Sequence, residues 1–179
     1  MSAVLQFNHD IRTLSLIDKS KFIVSATKDS KDELVPVSYY SDSIWDFSDK
    51  TDNLLFHKTL LNFDSINFDN NRILFDYPNL FETFKDLIYK FIASGLKIST
   101  VESKFQSLRH FFNYIVTEIG KECLSQLNDI EVDEYIDYLI RKNEGNSYSH
   151  VKNRTSVISS IYKFRNEIKY SIDFKPFKN

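Results

Sequence analysis

The sequence predicts a mainly α-helical protein with a small β-containing or irregular segment at its N-terminus, and three observations predict this fold class. Glycine and proline are scarce, at three residues each in a chain of 179, so long helices are favoured over sharp turns. After Pro78 the apolar residues recur with the period of a helix. Before Pro78, short β-branched or aromatic runs alternate with Asp, Asn and Ser. We therefore expect an N-terminal extension (1–78) and one helical domain (79–168).

The composition favours a globular protein of the cytoplasm. Hydrophobic residues make up 42% of the chain and charged residues 27%, and 16 Phe and 10 Tyr can supply a core. The single cysteine, Cys123, cannot form an internal disulfide, which fits a reducing compartment. The four histidines are scattered, and neither a signal peptide nor a membrane-spanning run is evident. We expect no metal, no cofactor and no membrane partner.

The extension has candidate strands in three places. "KFIVSA" (21–26) and "LVPVSYY" (34–40) are β-branched or aromatic runs. "SINFDNNRILFDY" (65–77) predicts two short strands around a turn at Asp69-Asn70-Asn71. Trp45, the only tryptophan, is predicted to anchor the extension onto a core, with ligand stacking as the alternative.

The sequence predicts two helices in the first part of the helical domain. One runs near 79–94, from Pro78 at its first turn to Gly95 at its end. The second begins at Ser99, where Glu102 completes a capping box, and ends at Gly120. Their predicted core positions follow the helical period: Leu80, Phe84, Leu87 and Phe91, then Val101, Phe105, Leu108, Phe112, Ile115 and Ile119.

Two further helices complete a predicted four-helix bundle. The third follows Asn128, a favourable N-cap, and its inward positions are Val132, Tyr135, Ile136 and Leu139. The fourth begins near Ser147 or Ser149 and reaches about Glu167. Its apolar side comprises Val151, Ile158, Ile161, Phe164 and Ile168, with Val157 at the edge.

Polar stripes remain on two helices once the core is assigned. Lysine ammonium groups and small hydroxyls on one stripe suit phosphate oxygens, because the hydroxyls donate without blocking close approach. The free N–H groups at the start of the fourth helix also favour anions. The alternative is that both stripes are ordinary solvated faces. The candidate DNA-binding residues are Lys97, Thr100, Lys104 and Ser107 on the second helix, and Ser149, His150, Lys152, Asn153, Arg154, Ser156 and Lys163 on the fourth, beside Ser159 and Ser160.

Charge is distributed unevenly along the chain. Residues 141–179 hold nine Lys and Arg against three Asp and Glu, although the whole chain carries a net charge of −2. A basic end on an acidic protein suggests a polyanionic partner or an unevenly charged surface. The third helix differs, because its outer face carries Glu131, Asp133, Glu134 and Asp137. These carboxylates would repel phosphate, so we expect that face to point away from nucleic acid or to contact protein.

The pattern of 81–165 resembles the N-terminal, core-binding domain of the tyrosine site-specific recombinases, the phage-integrase family. The likeness lies in "LFETFKDLIYKFIASGLKISTVESKFQSLRHFFNYIV" (80–116), "LSQLNDIEVDEYIDYLIRKNEG" (124–145) and "SYSHVKNRTSVISSIYKFRNE" (147–167). It covers about half of the chain and rests on pattern and spacing. The resemblance implies a helical domain that clamps double-stranded DNA together with a separate catalytic domain, its second and fourth helices against the duplex.

The resemblance also sets expectations for the chemistry. The family cleaves DNA with a tyrosine nucleophile assisted by an early Arg and a later His-x-x-Arg, and this ordered set is not found here. We therefore expect no catalytic residue in this chain, a linker beginning at 169–179, and tetramers only on DNA in the full-length protein. Asn153 and Arg154 are candidates for base contacts, although Arg154 can instead lie at the core edge. Two alternatives remain open: a protein-interaction module that docks a neighbouring subunit or accessory factor, and a self-contained enzyme.

Overall fold

The computed structural model describes residues 11–48, 59–64, 76–142 and 148–177. In this part of the chain a short helix, α1 (Leu16–Ser20), precedes four strands, and four longer helices follow. The prediction of a mainly helical protein with a small β-containing N-terminal segment is confirmed.

The strands form two small antiparallel pairs. Strand β1 (Ile23–Lys28) pairs with β2 (Leu34–Tyr39), and β3 (Ile44–Asp46) pairs with β4 (Leu60–Asn62). Ser25 Oγ donates to the Asp46 carbonyl at 2.6 Å, and the Asp46 N–H donates to Ser38 Oγ at 2.8 Å, so the two pairs are joined. The strands predicted in 21–26 and 34–40 are confirmed, whereas the pair predicted in 65–77 falls almost entirely outside the described residues.

Helix α2 (Pro78–Ala93) is buried on nearly every side. Pro78 occupies its first turn, and Gly95, with φ of +79°, follows its end as predicted. The predicted apolar face is buried, but so are Glu82, Lys85 and Asp86 on the opposite side. The reason is tertiary, because the N-terminal segment covers the polar side of the helix and supplies partners for its charges.

A buried ion cluster makes that attachment. Lys19 of α1 is fully buried, and its Nζ lies 2.8 Å from Glu82 Oε1 and 2.7 Å from Asp86 Oδ2. Tyr40 OH donates to Asp86 Oδ1 at 2.7 Å. Burial raises the pKa of Asp86, whereas Lys19 and Tyr40 act to lower it. Removing one partner of such a buried group leaves a charge uncompensated, so the cluster holds α1 and the residue that follows β2 against α2.

Helix α3 (Ile98–Tyr114) begins and ends differently from the prediction. Its N-cap is Lys97, with no side-chain capping bond, so the predicted capping box of Ser99 and Glu102 is wrong. The chain continues past Tyr114 as a π-helical turn (Ile115–Ile119). Gly120, with φ of +73°, then ends the helical run where the sequence predicts it.

Helices α4 (Asp129–Lys142) and α5 (Tyr148–Lys163) follow a 3₁₀ turn (Leu124–Gln126). Asn128 caps α4 as predicted, since its Oδ1 accepts from the Glu131 N–H at 2.9 Å and its N–H donates to Glu131 Oε2 at 3.0 Å. Helix α5 ends four residues before the predicted Glu167, in a series of turns. Val157, predicted at the edge of its apolar side, is completely buried.

One hydrophobic cluster joins the described segments. It includes Ile11 and Trp45 from the N-terminal part, Phe84 and Phe112 from the helices, and Ile172 near the C-terminus. Trp45 is completely buried, with its ring centroid 4.6 Å from that of Phe63, so its predicted role as an anchor is confirmed. The stretch predicted as the beginning of a linker, 169–179, contributes Ile172 and Pro176 to the buried residues.

Among the described residues, no helix is both long and apolar enough to cross a membrane. The same part of the chain contains no group of three or more His, Cys, Asp or Glu side chains placed to hold a metal ion.

Candidate nucleic-acid interface

The two helices singled out by the sequence, α3 and α5, pack directly against each other. Lys104 on α3 meets Ser160 on α5, with 2.9 Å between Nζ and Oγ. Further along α3, the Gln106 carbonyl accepts from Arg154 Nη1 at 2.8 Å. The residue numbers of these contacts increase along α3 while they decrease along α5, so the two helices are antiparallel. Their polar residues therefore belong to one continuous surface, which we call the α3–α5 surface.

The exposed side of α5 has the composition that phosphate binding requires. Lys152, Asn153, Ser156, Ser159 and Lys163 are all exposed, as the helical spacing predicted. Residues 148–163 contain no Asp or Glu. The nearest acidic residue downstream, Glu167, is held by Lys90, with 2.9 Å between its Oε2 and Nζ. From Lys152 to Lys163 the stripe extends about 16 Å along the helix, a length over which B-DNA presents several phosphates.

Lys104 lies in the seam between the helices and is only partly exposed. Its ammonium is 5.0 Å from the ring centroid of Phe91 and donates to Ser160 Oγ. Burial lowers its pKa, and the positive charge of Lys163 lowers it further. The charges of Lys104 and Lys163 therefore repel each other at this end of the seam, and an anion bound near both would relieve the repulsion.

A shallow groove of about 240 Å³ lies further along the seam. Its lining is formed by hydrogen-bonding side chains of both helices: Ser103, Gln106 and Ser107 of α3, and Asn153 and Arg154 of α5. Ser103 and Gln106 are exposed and were not among the predicted site residues. They could have been identified from the helical period, because they lie further from the apolar stripe than Lys104 and Ser107.

Arg154 lies at the edge of the core, the alternative placement that the sequence left open. It is partly buried, and its bond to the Gln106 carbonyl directs the guanidinium toward α3. Burial lowers its pKa, while Tyr135 acts to raise it. Its neighbour Asn153 is exposed on the groove.

The remaining predicted residues differ in their placement. Ser107 is buried, at 6% exposure, and its Oγ donates to the Ser103 carbonyl at 3.0 Å, so it lines the groove floor. Lys97 and Thr100 are exposed in the first turn of α3. Ser149 is exposed in the first turn of α5, and the side chain of His150 lies outside the described residues. The structure thus brings Lys104, Asn153 and Lys163 into the seam and leaves Ser107 beneath it.

The chain does contain one His-x-x-Arg spacing, from His9 to Arg12. Arg12 is the first arginine of the sequence, so no earlier Arg is present to complete the ordered catalytic set of the recombinases. His9 lies outside the described residues. Arg12 lines a cavity with residues from 165–173, and this lining shares no residue with the groove between α3 and α5.

Helix α4 presents a surface of different chemistry. Asp133, Glu134 and Asp137 are exposed, as the sequence predicted for this face, and Ile130 and Ile140 are 66% and 57% exposed beside them. An open groove of about 610 Å³ runs between α4 and the π-helical turn. Its lining combines carboxylates with apolar and aromatic side chains: Tyr114, Glu118, Ile119, Glu134, Asp137, Ile140 and Arg141.

In comparisons with known proteins, no family model, no curated protein and no solved structure matches the chain.

Proposed function

We propose that the α3–α5 surface binds double-stranded DNA, and that the chain is the DNA-binding N-terminal portion of a tyrosine recombinase or phage integrase. In this proposal the four long helices form the core-binding bundle, which clamps the duplex during DNA integration or excision. The proposal of DNA binding depends on one observation, the direct antiparallel contact of α3 and α5, in which Lys104 Nζ donates to Ser160 Oγ. The recombinase part rests on the resemblance of sequence pattern.

Phosphate contacts would supply most of the affinity. Lys152 and Lys163 are exposed, and the helix that carries them has no carboxylate to compete with DNA. Their ammonium groups would neutralise phosphates and release counterions, while Ser159 would donate a hydrogen bond at close range. The Ser156 hydroxyl already donates to the Asn153 carbonyl at 2.8 Å. Binding by this module should therefore weaken steeply as the salt concentration rises.

Base contacts would come from the groove in the seam. Asn153, Ser103 and Gln106 present amide and hydroxyl groups there, and these side chains can read base edges. Arg154 supports the groove through its bond to the Gln106 carbonyl. In this arrangement Arg154 positions its neighbours and Asn153 is the better candidate for a base contact.

The test is a duplex titration across salt concentrations with charge-reversal variants. Lys152→Glu and Lys163→Glu should each weaken duplex binding by about tenfold or more, because a phosphate contact becomes a repulsion. For each variant, the slope of log affinity against log salt should become shallower by about one unit. A gel-shift or fluorescence-anisotropy titration measures both quantities.

Lys31→Glu is the matched control, since it makes the same charge change at an exposed lysine in the turn between β1 and β2. Its affinity should stay close to that of the wild type. If Lys31→Glu weakens binding as much as Lys152→Glu does, only net charge matters and the α3–α5 surface is not the site. Equal affinity for the wild type and both α5 variants would contradict the proposal directly.

A second candidate function is protein docking through α4. The observation that favours it is the groove beside α4, where the exposed Ile140 and the partly buried Ile119 adjoin carboxylates. Such a surface suits a neighbouring subunit or accessory protein with basic and apolar side chains. The duplex titration distinguishes the two functions, because a docking module would bind DNA no differently after the α5 substitutions.

A further inference from the structure

A polar cavity of about 250 Å³ lies where the first and last described parts of the chain meet. Three cationic side chains line it, Arg12 from the N-terminal part and Arg165 and Lys169 from the turns after α5. Among the described residues of the lining, Asp173 is the one acidic side chain. A concave, cationic and polar space of this kind attracts anions.

Buried residues next to the lining hold the backbone of the cavity in place. Ile11, next to Arg12, is completely buried, and Ile168 and Ile172 are each 1% exposed. Glu167, in the turns that follow α5, forms an ion pair with Lys90 of α2, with 2.9 Å between Oε2 and Nζ. The backbone that presents the cationic side chains is therefore anchored in the core.

Arg165 is oriented by Tyr162 of α5. Its guanidinium carbon lies 4.1 Å from the Tyr162 ring centroid, and Nη1 donates to the Tyr162 carbonyl at 3.0 Å. A guanidinium has five N–H donors in a planar fork, so one oriented in this way can still present donors to an anion. Stacking fixes the plane of the fork before a ligand arrives.

Lys169 and Ser171 complement the arginine. A hydrogen bond with Tyr170 raises the pKa of Lys169, and the carboxylates of Glu82 and Asp86 add to this, so the ammonium stays protonated at neutral pH. Ser171 Oγ is buried without a hydrogen-bond partner among the described residues. The hydroxyl is therefore a donor beside three cationic side chains, where a phosphate oxygen would accept its hydrogen bond.

We propose that this cavity binds a phosphate group, with Arg165 and Lys169 neutralising its charge and with Arg12 and the Ser171 hydroxyl completing the contacts. A volume of about 250 Å³ is smaller than the ~300–1,000 Å³ of sites for drug-sized ligands. It therefore suits one or two phosphate groups rather than a large organic body. The phosphate can belong to a free phosphorylated metabolite or to the backbone of a nucleic acid.

Inorganic pyrophosphate, titrated into the full chain, is the test. Binding should shift the backbone NMR signals of Lys169 and Ser171 and should raise the melting temperature. Lys169→Gln and Ser171→Ala should each weaken binding, by about tenfold or more for the lysine, because charge-assisted hydrogen bonds are lost. Lys169 is exposed, so its substitution should leave folding intact. Lys31→Gln, which removes the charge of an exposed lysine in the turn between β1 and β2, is the control and should bind pyrophosphate like the wild type.

The absence of any saturable shift at Lys169 and Ser171 would overturn the proposal. Equal binding by Lys169→Gln and the wild type would also overturn it. A duplex titration of Lys169→Gln then distinguishes the sources: weaker duplex binding assigns a backbone phosphate, and unchanged duplex binding assigns a free phosphorylated ligand. The NMR shifts at Lys169 and Ser171 report on this cavity and not on the α3–α5 surface. The cavity proposal can therefore be contradicted while DNA binding by the α3–α5 surface is supported, and the reverse.

Discussion

At the scale of single residues, Lys85 shows that a charged side chain can be buried where its residue type suggests exposure. It lies on α2 at 5% exposure, its Nζ donates to the Asp42 carbonyl at 2.9 Å, and the ring centroids of Trp45 and Phe63 are 5.3 and 4.9 Å away. Burial lowers the pKa of Lys85 to about 8, although the carboxylates of Asp42, Asp64 and Asp86 act in the opposite direction. The sequence alone suggests an ordinary surface lysine at this position.

This shift predicts how stability depends on pH. The folded protein releases the Lys85 proton at a pKa of about 8, whereas the unfolded chain holds it to its ordinary value near 10.5. Between these values the unfolded state binds more protons, so stability rises with pH in this window. Below about pH 8 the cost of the buried charge is fully present. Lys85→Met removes this dependence.

The measurement is urea unfolding of the wild type and Lys85→Met at several pH values between about 7 and 10. The free energy of unfolding of the wild type, relative to the variant, should rise by about 1 kcal/mol per pH unit above pH 8. Other titrating groups cancel in this difference. A difference that stays constant across the window would show that Lys85 titrates normally.

At the scale of elements, the two predicted caps make a direct comparison. Asn128 accepts the Glu131 N–H at 2.9 Å and caps α4, whereas Ser99 lies inside α3, whose N-cap is Lys97. The two sequence patterns look alike, since each is a polar residue followed three positions later by Glu. The N-cap of α3 lies two residues earlier than predicted, and Ile98, the first residue of the helix, packs against the core.

Alanine substitutions test this difference. Asn128→Ala should lower the free energy of unfolding by about 1 kcal/mol, because the Glu131 N–H loses its acceptor. Ser99→Ala should change it by less than about 0.5 kcal/mol, as expected for an exposed residue without a capping bond. Denaturant unfolding of both variants gives the two values. Comparable losses would mean that Ser99 caps α3 in solution.

At the scale of the whole molecule, the N-terminal segment and the helices share one hydrophobic cluster. The change of apolar period divides the sequence at residue 78, yet α2 has partners on both sides of that boundary. Lys19 and Tyr40 bind its carboxylates, and Trp45 packs beside it. A helix with buried charges on one side cannot be exposed to solvent on that side without losing these pairs.

The shared core predicts a single unfolding transition. Trp45, the only tryptophan, reports on the N-terminal segment through its fluorescence, while far-UV circular dichroism reports mainly on the helices. The two signals should change at the same denaturant concentration, because one core stabilises both parts. An earlier fluorescence transition would instead show that the extension is a separate unit.

The sequence by itself determined the helical class, the positions of Pro78, Gly95, Gly120 and Asn128 at helix boundaries, and the exposed stripe of α5. These features depend on local backbone geometry and on the period of one helix, both of which the order of residues encodes directly. Only the tertiary structure decided that α2 is buried on both sides, that Lys104 lies in a seam with Ser107 beneath it, and that Arg12 lines one cavity with Arg165 and Lys169. Contacts between residues distant in sequence depend on how elements pack, and a helical period shows which face is apolar without showing what covers the other face.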